Sequence, residues 1–489
     1  MSDSRPNILL VVMDTARVRA FSSVDFANTP VIQSLKENGY SYSQTITTAP
    51  WTLPSHASLF TGTYVSKHGA HADHKRLDDD LAVLAEVLRE NGYETAAVSN
   101  NTWISEEFGF GRGFETFLKS WQYLQTGTDF ADIARNTQRV DRLKAVSRRI
   151  FEGNPLVNLT NALYGKYFRR RKDSGAKHSN SLVDEWLKER RGDRPFFLFV
   201  NYLEPHLEYR PSPEYAKKFL PEHVSYEEAK EVNQNAWKYI AGKVGMTEKD
   251  FDILRALYLG EIAYLDERIG DLRESLECAG EWENTVILVT GDHGENIGDH
   301  GLMDHQYCLY DTLLHVPLVI QGDVFSGGET IDDLVQLVDI APTMLDVARI
   351  EGSELREQSQ GYSLHPDADK DTRRYAFAEY MAPNPTMEAL ETRVGELQAE
   401  VYEYDRSLRT VRTEEWKLIR GSDGNHELYH VATDPDESEN VLDTEPNVAE
   451  ELGTELDSWL RSFEHAEHSG SVTMREETKR RLENLGYLQ

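Results

Sequence analysis

Five short runs of consecutive apolar or small residues limit what this chain can fold into. Residues 7–13, 95–99, 196–201, 285–290 and 316–320 are continuous in character rather than alternating. A strand with one wet face alternates, whereas a strand covered on both faces has no need to. All five are therefore read as buried parallel strands. Helical patterns fall between them. Thr29 is an N-cap with Pro30 at the first helical position, and Gly39 stands where a C-terminal glycine belongs. Residues 81–90 and 249–276 carry helical periodicity. This repeated order predicts an α/β layered sandwich, a large and mostly parallel sheet flanked by helices. In such sheets ligands collect beyond the carboxyl ends of the strands, so chemistry is expected just after each one.

The chain has 489 residues, too many for one hydrophobic core. The layered pattern holds over 1–350. From about Gly352 it gives way to short strands and turns. Residues 408–412, 416–420 and 427–431 read as an antiparallel meander with a turn at Ser422–Asn425, followed by a helix over 447–463. Residues 351–489 are thus expected to form a smaller C-terminal α+β domain with an antiparallel sheet. Between the two, Met387, Leu390, Val394, Leu397 and Val401 repeat at 3,4,3,4 spacing on an expected helix. That seam packs on its own domain or forms a homodimer contact. A basic helical insertion covers about 138–177: residues 139–177 hold eleven Lys and Arg against three acids. It reads as a solvated insertion, or as a basic lid for an anionic substrate or a contact for a membrane surface or other polyanion.

The formal net charge of −32 argues against nucleic acid as a partner. Cys278 and Cys308 cannot build a disulfide framework, and the expected setting is cytoplasmic. No run is long enough to span a membrane. The apolar stretch 8–13 is too short, and too acidic at its flanks, for a signal peptide.

Asp14 directly follows the first strand, and Asp292 and His293 follow the strand at 285–290. Alone, any one of these is a turn former or a cap. Together, two carboxylates and an imidazole at strand ends suit a divalent metal. Thr52 lies near an expected helix start with Pro54 in the first turn, where free N–H groups and the helix dipole favour an anion. Taken alone, Thr52 is an ordinary N-cap.

The segments Asn7–Asp14, Thr52-Leu-Pro-Ser-His-Ala-Ser-Leu-Phe-Thr-Gly62 and Asp292-His-Gly-Glu295 with His300-Gly301 resemble the sulfatase family of the alkaline-phosphatase superfamily. Glu204-Pro205-His206, Leu309-Tyr310-Asp311 and Glu427-Leu428-Tyr429 extend the resemblance over nearly the whole chain. The family has Cys or Ser, converted to formylglycine, where Thr52 stands. A threonine cannot be converted in that way, because its β-carbon carries a methyl group. The family's second N-terminal Asp is Thr15 here, its Arg after Pro-Ser is His56, and a common Asn ligand is His293.

The resemblance implies a metal-dependent hydrolase of sulfate or phosphate esters acting on a small anionic ester. Asp14, Thr52, Asp292 and His293 would be the metal ligands, with Thr52 the metal-activated nucleophile. His206 and His305 would sit near the leaving group or a non-bridging oxygen, and His56 would replace the lost arginine contact. His68, His71 and His74 are either a surface cluster or ligands for a second metal. Fewer carboxylates and an added imidazole favour manganese or zinc over calcium. Thr52 tilts the expectation towards a phosphoester or phosphonate ester. The alternatives are transfer of a phospho-group to a lipid or glycan acceptor, sulfuric ester hydrolysis without formylglycine, and a non-catalytic binding protein.

Overall fold

The computed structural model describes residues 5–22, 27–121, 175–368 and 372–466. All but the last three residues of the basic segment 139–177 lie outside them. At the centre is β1 (Asn7–Met13), buried along its whole length. It pairs in parallel with β5 (Phe196–Tyr202) on one side and β6 (Thr285–Gly291) on the other. The sheet has eight strands. Beyond β5 lie β3 (Glu94–Ser99) and β4 (Thr116–Lys119). Beyond β6 come β9 (Leu318–Gln321), β2 (Tyr40–Ile46) and β10 (Glu329–Gln336).

One expected parallel strand is reversed. The run at 316–320 forms β9, which is antiparallel to both β6 and β2. Burial on both faces makes a strand's sequence continuous whichever way it runs, so the pattern carried no direction.

Helices cover both faces. Successive side chains on β5 point to opposite sides. Phe196 packs edge-on to Trp186 of the helix Ala176–Glu189, while Phe199 packs on Phe60 of the helix Thr52–Thr61. The helices Pro30–Asn38 and Glu248–Ala279 pack together with Ala176–Glu189. The helices Leu84–Glu90 and Ile340–Val347 pack with Thr52–Thr61. No helix among the described residues is long and apolar enough to cross a membrane.

A second sheet is an antiparallel meander, β11 (Ala376–Tyr380), β12 (Leu408–Arg412), β13 (Lys417–Gly421) and β14 (His426–Tyr429). The helix Pro446–Leu460 lies on it, with Trp459 stacked on Phe377 at 4.4 Å. Fully buried Lys417 bonds Asp311 at 2.8 Å and Glu437 at 2.7 Å, and Arg412 bonds the other oxygen of Asp311 at 3.1 Å. This network ties the meander to the segment that leads into β9.

One local expectation is corrected, and one is met for a reason of its own. The 3,4,3,4 seam is not one helix. Gly395, at φ 85°, separates the helix Met387–Val394 from the 3-10 turn Ala399–Tyr404, and Met387, Leu390, Leu397 and Val401 are buried within the chain. Gly39 does end its helix, but in an extended conformation (φ −127°) rather than a left-handed one. Its reason is space: a Cβ there would come 2.4 Å from the Ile320 carbonyl oxygen. Gly39→Ala is therefore expected to cost about 1–3 kcal/mol, the usual penalty of overpacking. Urea unfolding should show a lower midpoint at unchanged slope. An unchanged midpoint would mean that β9 yields at no cost.

Candidate active site

The parallel pairing of β1 with β6 puts Met13 opposite Gly291, so the residues that follow, Asp14 and Asp292, emerge side by side. Thr15 turns the chain through a left-handed conformation (φ 62°), uncommon for a β-branched residue. The turn aims the Thr15 N–H at Asp292 Oδ1, 3.1 Å away, and the same oxygen accepts the His293 N–H at 2.8 Å. Gly294 is obligatory: a Cβ would lie 2.0 Å from the Thr312 carbonyl oxygen. His293 Nδ1 donates to the Gly294 carbonyl at 2.9 Å, which turns Nε2 towards the carboxylates.

Thr52 is the first residue of its helix, one place later than the cap position expected for it, and Trp51 takes the cap. Every residue of that helix is buried. Ser55 anchors it by donating to the Asp292 carbonyl at 2.7 Å. Thr52 Oγ1 then lies 3.4 Å from His293 Nε2 and 3.4 Å from Asn101 Nδ2. The structure brings together four expected residues: Asp14, Thr52, Asp292 and His293.

The donor set fits a cation. Asp14, Asp292 and His293, all fully buried, each offer a ligand atom within 4.8 Å of the other two, and Asp14 Oδ1 and Asp292 Oδ2 lie 3.6 and 3.5 Å from His293 Nε2. Asp14 Oδ1 and Asp292 Oδ2 have no hydrogen-bond partner. Among the described residues no lysine or arginine forms an ion pair with either carboxylate; His56 and His293 lie at 3.5–3.6 Å, and the charge of His305 acts on both from farther off. Burial pushes the Asp292 carboxyl up to about 7, and burial plus the nearby Asp292 charge raises Asp14 well above its usual range. Burial also holds His293 well below 6.5, hence neutral and able to ligate. Two orphaned acceptors beside a neutral imidazole are what a divalent ion satisfies.

His305 stands next to this group, its ring 4.6 Å from that of His293 and 5.1 Å from that of His206. Its Nδ1 lies 2.6 Å from Asp304 Oδ1 and 3.3 Å from Glu295 Oε1. Burial opposes the charged ring, but the two carboxylates prevail and raise His305 well above its usual value. Burial pushes His206 the other way, down to about 4. His56 Nδ1 donates to the Thr52 carbonyl at 2.9 Å, its ring packs edge-on against Phe199, and burial lowers it to about 4. His68, His71 and His74 do not gather at a metal-like spacing. His68 bonds Ser58, His71 and His74 pair through their backbones, and His74 meets Asp78 at 2.7 Å.

The sequence reading missed Asn101, Glu295 and Asp304 as site residues. Asn101 follows β3 at its carboxyl end, the place the strand-end rule marks, but a lone Asn there also reads as a turn former. Asp304 enters only because β7 (Asn296–Ile297) and β8 (Met303–Asp304) pair as a small ribbon that folds back on Glu295, and that is not visible in linear spacing.

Residues 6–350 match the sulfatase family model, and residues 298–465 match that of the C-terminal region of N-sulphoglucosamine sulphohydrolase. The chain belongs to the sulfatase family. Its relatives are ester hydrolases, and enzymes of this family depend on a metal. Arylsulfatase K of Bos taurus is 26% identical over 481 residues, spanning 93% of this chain and 81% of the relative. An uncharacterised sulfatase, YidJ, of Escherichia coli strain K12 is 24% identical over 450 residues, spanning 90% and 83%. Two solved structures share the fold. The phosphonate monoester hydrolase of Agrobacterium radiobacter has a TM-score of 0.68 at 22% identity, covering 94% of this chain and 96% of that one. A protein in complex with its substrate D-glucosamine-2-N,6-O-disulfate has a TM-score of 0.67 at 19% identity, covering 94% and 98%.

Protons and a cation compete for the same carboxylate oxygens. Burial keeps a proton on Asp292 below about pH 7 and raises Asp14 as well. As pH rises past that point the Asp292 proton leaves, and its oxygen opens to an ion. Calorimetric binding of Mn2+ should therefore tighten as pH rises through about 7, with proton release. An affinity that does not change across that range would contradict a cation site here.

Proposed function

We propose that this sulfatase-family enzyme hydrolyses a phosphoester or phosphonate ester, with Thr52 as the nucleophile. The observation that carries the reading is the placement of Thr52 Oγ1, at a helix start and 3.4 Å from His293 Nε2, beside the orphaned Asp14 and Asp292 oxygens. Asp14, Asp292 and His293, with the Thr52 hydroxyl, would hold the cation. Two carboxylates and an imidazole favour manganese or zinc over calcium. Such an ion, when bound, lowers the pKa of an adjacent hydroxyl and offsets charge on the ester oxygens.

The chain's own residues supply the rest. Thr52 Oγ1, deprotonated as a bound ion would favour, attacks the central atom in line; the bond to Oγ1 forms as the bond to the leaving oxygen breaks, which leaves a covalent ester on Oγ1. Threonine has one hydroxyl and no aldehyde, so water must release that ester by a second displacement at the same centre. His305, kept protonated by Asp304 and Glu295, carries positive charge beside the reacting group and can hand a proton to the leaving oxygen. His206, kept neutral by burial, can accept one from the incoming water. Neighbouring groups whose pKa values are pushed apart in this way suit acid and base roles. His56 is fully buried, neutral, and committed to the Thr52 carbonyl. It orients the nucleophile's backbone, a role that suits its surroundings better than contact with the substrate anion.

A sulfate ester is the second reading, favoured by the names of the relatives and by the sulfated glucosamine substrate of one structural neighbour. Paired nitrophenyl phosphate, phenylphosphonate and sulfate esters, each assayed with Mn2+, Zn2+ and Ca2+, separate the two. Turnover of the phosphorus esters with Mn2+ or Zn2+ is expected, and Thr52→Ala should lower it by about a thousandfold or more. Hydrolysis of the sulfate ester alone would reverse the preference. Full activity in Thr52→Ala would remove Thr52 as nucleophile.

A further inference from the structure

We infer that Asn101 is a second anchor of the reacting group, a neutral donor that fixes both Asp14 and the Thr52 hydroxyl. The inference rests on the reading of Thr52 and Asp14 given above. Asn101 is fully buried just past the carboxyl end of β3, two strands away from β1 in the sheet.

Its orientation is settled by chemistry. Asn101 Oδ1 accepts the Trp103 backbone N–H at 2.9 Å, and a backbone N–H can only donate. The other end of the amide, Nδ2, therefore faces the site. The Asn101 backbone N–H is held in turn by Asn201 Oδ1 at 3.1 Å, so the residue is pinned at two further points. Nδ2 has two hydrogens and two acceptors within reach. One is Asp14 Oδ2, in a short hydrogen bond, and the other is Thr52 Oγ1 at 3.4 Å.

Two consequences follow. Asp14 Oδ2 is occupied by the amide, which leaves Oδ1, the oxygen without a hydrogen-bond partner, as the one turned to the cation. Thr52 Oγ1 is offered a hydrogen bond, so its lone pairs are oriented and negative charge that develops on it is partly stabilised. An amide does both without a charge of its own. A lysine here would compete with the cation for Asp14, and an aspartate would repel the attacking oxygen. Groups that orient metal ligands in this way typically cost 10–100-fold in affinity or activity when removed.

The test uses the full chain with Mn2+ as probe. Asn101→Ala should weaken calorimetric Mn2+ affinity by about tenfold or more. At saturating Mn2+ it should lower kcat by about 10–100-fold, with KM within about threefold. Asn101→Asp keeps Oδ1 for Trp103 and so preserves the loop, but loses the donor and places charge beside Thr52. The third buried carboxylate should lower its melting temperature, and at temperatures where it stays folded it should still lose kcat. If Asn101→Ala disturbs folding, Asn101→Asp carries the test. Wild-type kcat and Mn2+ affinity in the folded variants would overturn the inference. A double-mutant cycle of Asn101→Ala with Asp14→Asn, read in Mn2+ affinity, separates this from failure of the nucleophile reading. Non-additivity supports the Asn101–Asp14 link whatever Thr52→Ala does to turnover, and additivity overturns it.

Discussion

Two carboxylates with no lysine or arginine partner among the described residues, buried with ligand atoms within 4.8 Å of each other, are the constraint around which this molecule is built. At that separation two ionised groups repel by roughly 3–4 kcal/mol even at an effective dielectric near 20. Burial adds a desolvation cost for each. A fold retains such an arrangement only where something else relieves it: protons, N–H dipoles or a bound ion. The Thr15 and His293 N–H groups relieve one oxygen of Asp292, and the Asn101 amide relieves one of Asp14. One oxygen on each remains, 3.6 and 3.5 Å from His293 Nε2, which itself lies 3.4 Å from the Thr52 hydroxyl.

The surrounding architecture holds that geometry rigid. Adjacent parallel strands fix the spacing of Asp14 and Asp292. The Thr52 helix is clamped from below by Phe60 on Phe199 and at its start by Ser55 on the Asp292 carbonyl. The loop that carries Glu295 and His305 is latched at Asp299, whose carboxylate takes both guanidinium nitrogens of Arg17 at 3.0 and 3.1 Å. Burial opposes the Asp299 charge, but Arg17 outweighs it and lowers that carboxyl to about 2. Farther out, the Lys417–Asp311–Glu437 network joins the second sheet to the segment that returns from this loop. The site is thus assembled from several distant stretches, each locked by its own packing.

The parts of this design legible from sequence are those written in local pattern. The continuous runs at β1, β5 and β6 located the central strands, and the strand-end rule pointed to Asp14, Asp292 and His293 directly. Strand direction was hidden, because β9 is covered on both faces and looks the same reversed. Strand β2, Tyr40-Ser-Tyr-Ser-Gln-Thr-Ile46, is only partly covered and so lacks the continuous apolar run by which the central strands are recognised. The seam at 387–401 had helical spacing, but Gly395 breaks the helix. Asn101 and Asp304 escaped notice because their roles exist only once β3 and the β7–β8 ribbon bring them against residues far along the chain. His56, which motif position suggests as an anion contact, packs among aromatic rings with Nδ1 bonded to the Thr52 carbonyl, while its buried Nε2 has no hydrogen-bond partner.

The central claim is that a divalent ion binds where Asp14, Asp292, His293 and Thr52 converge. A crystal structure of the protein soaked in Mn2+, with anomalous scattering recorded at the manganese edge, tests it most directly. The account predicts one strong anomalous peak in contact with Asp14 Oδ1, Asp292 Oδ2, His293 Nε2 and Thr52 Oγ1. A peak elsewhere, with these four atoms left uncoordinated, would contradict it.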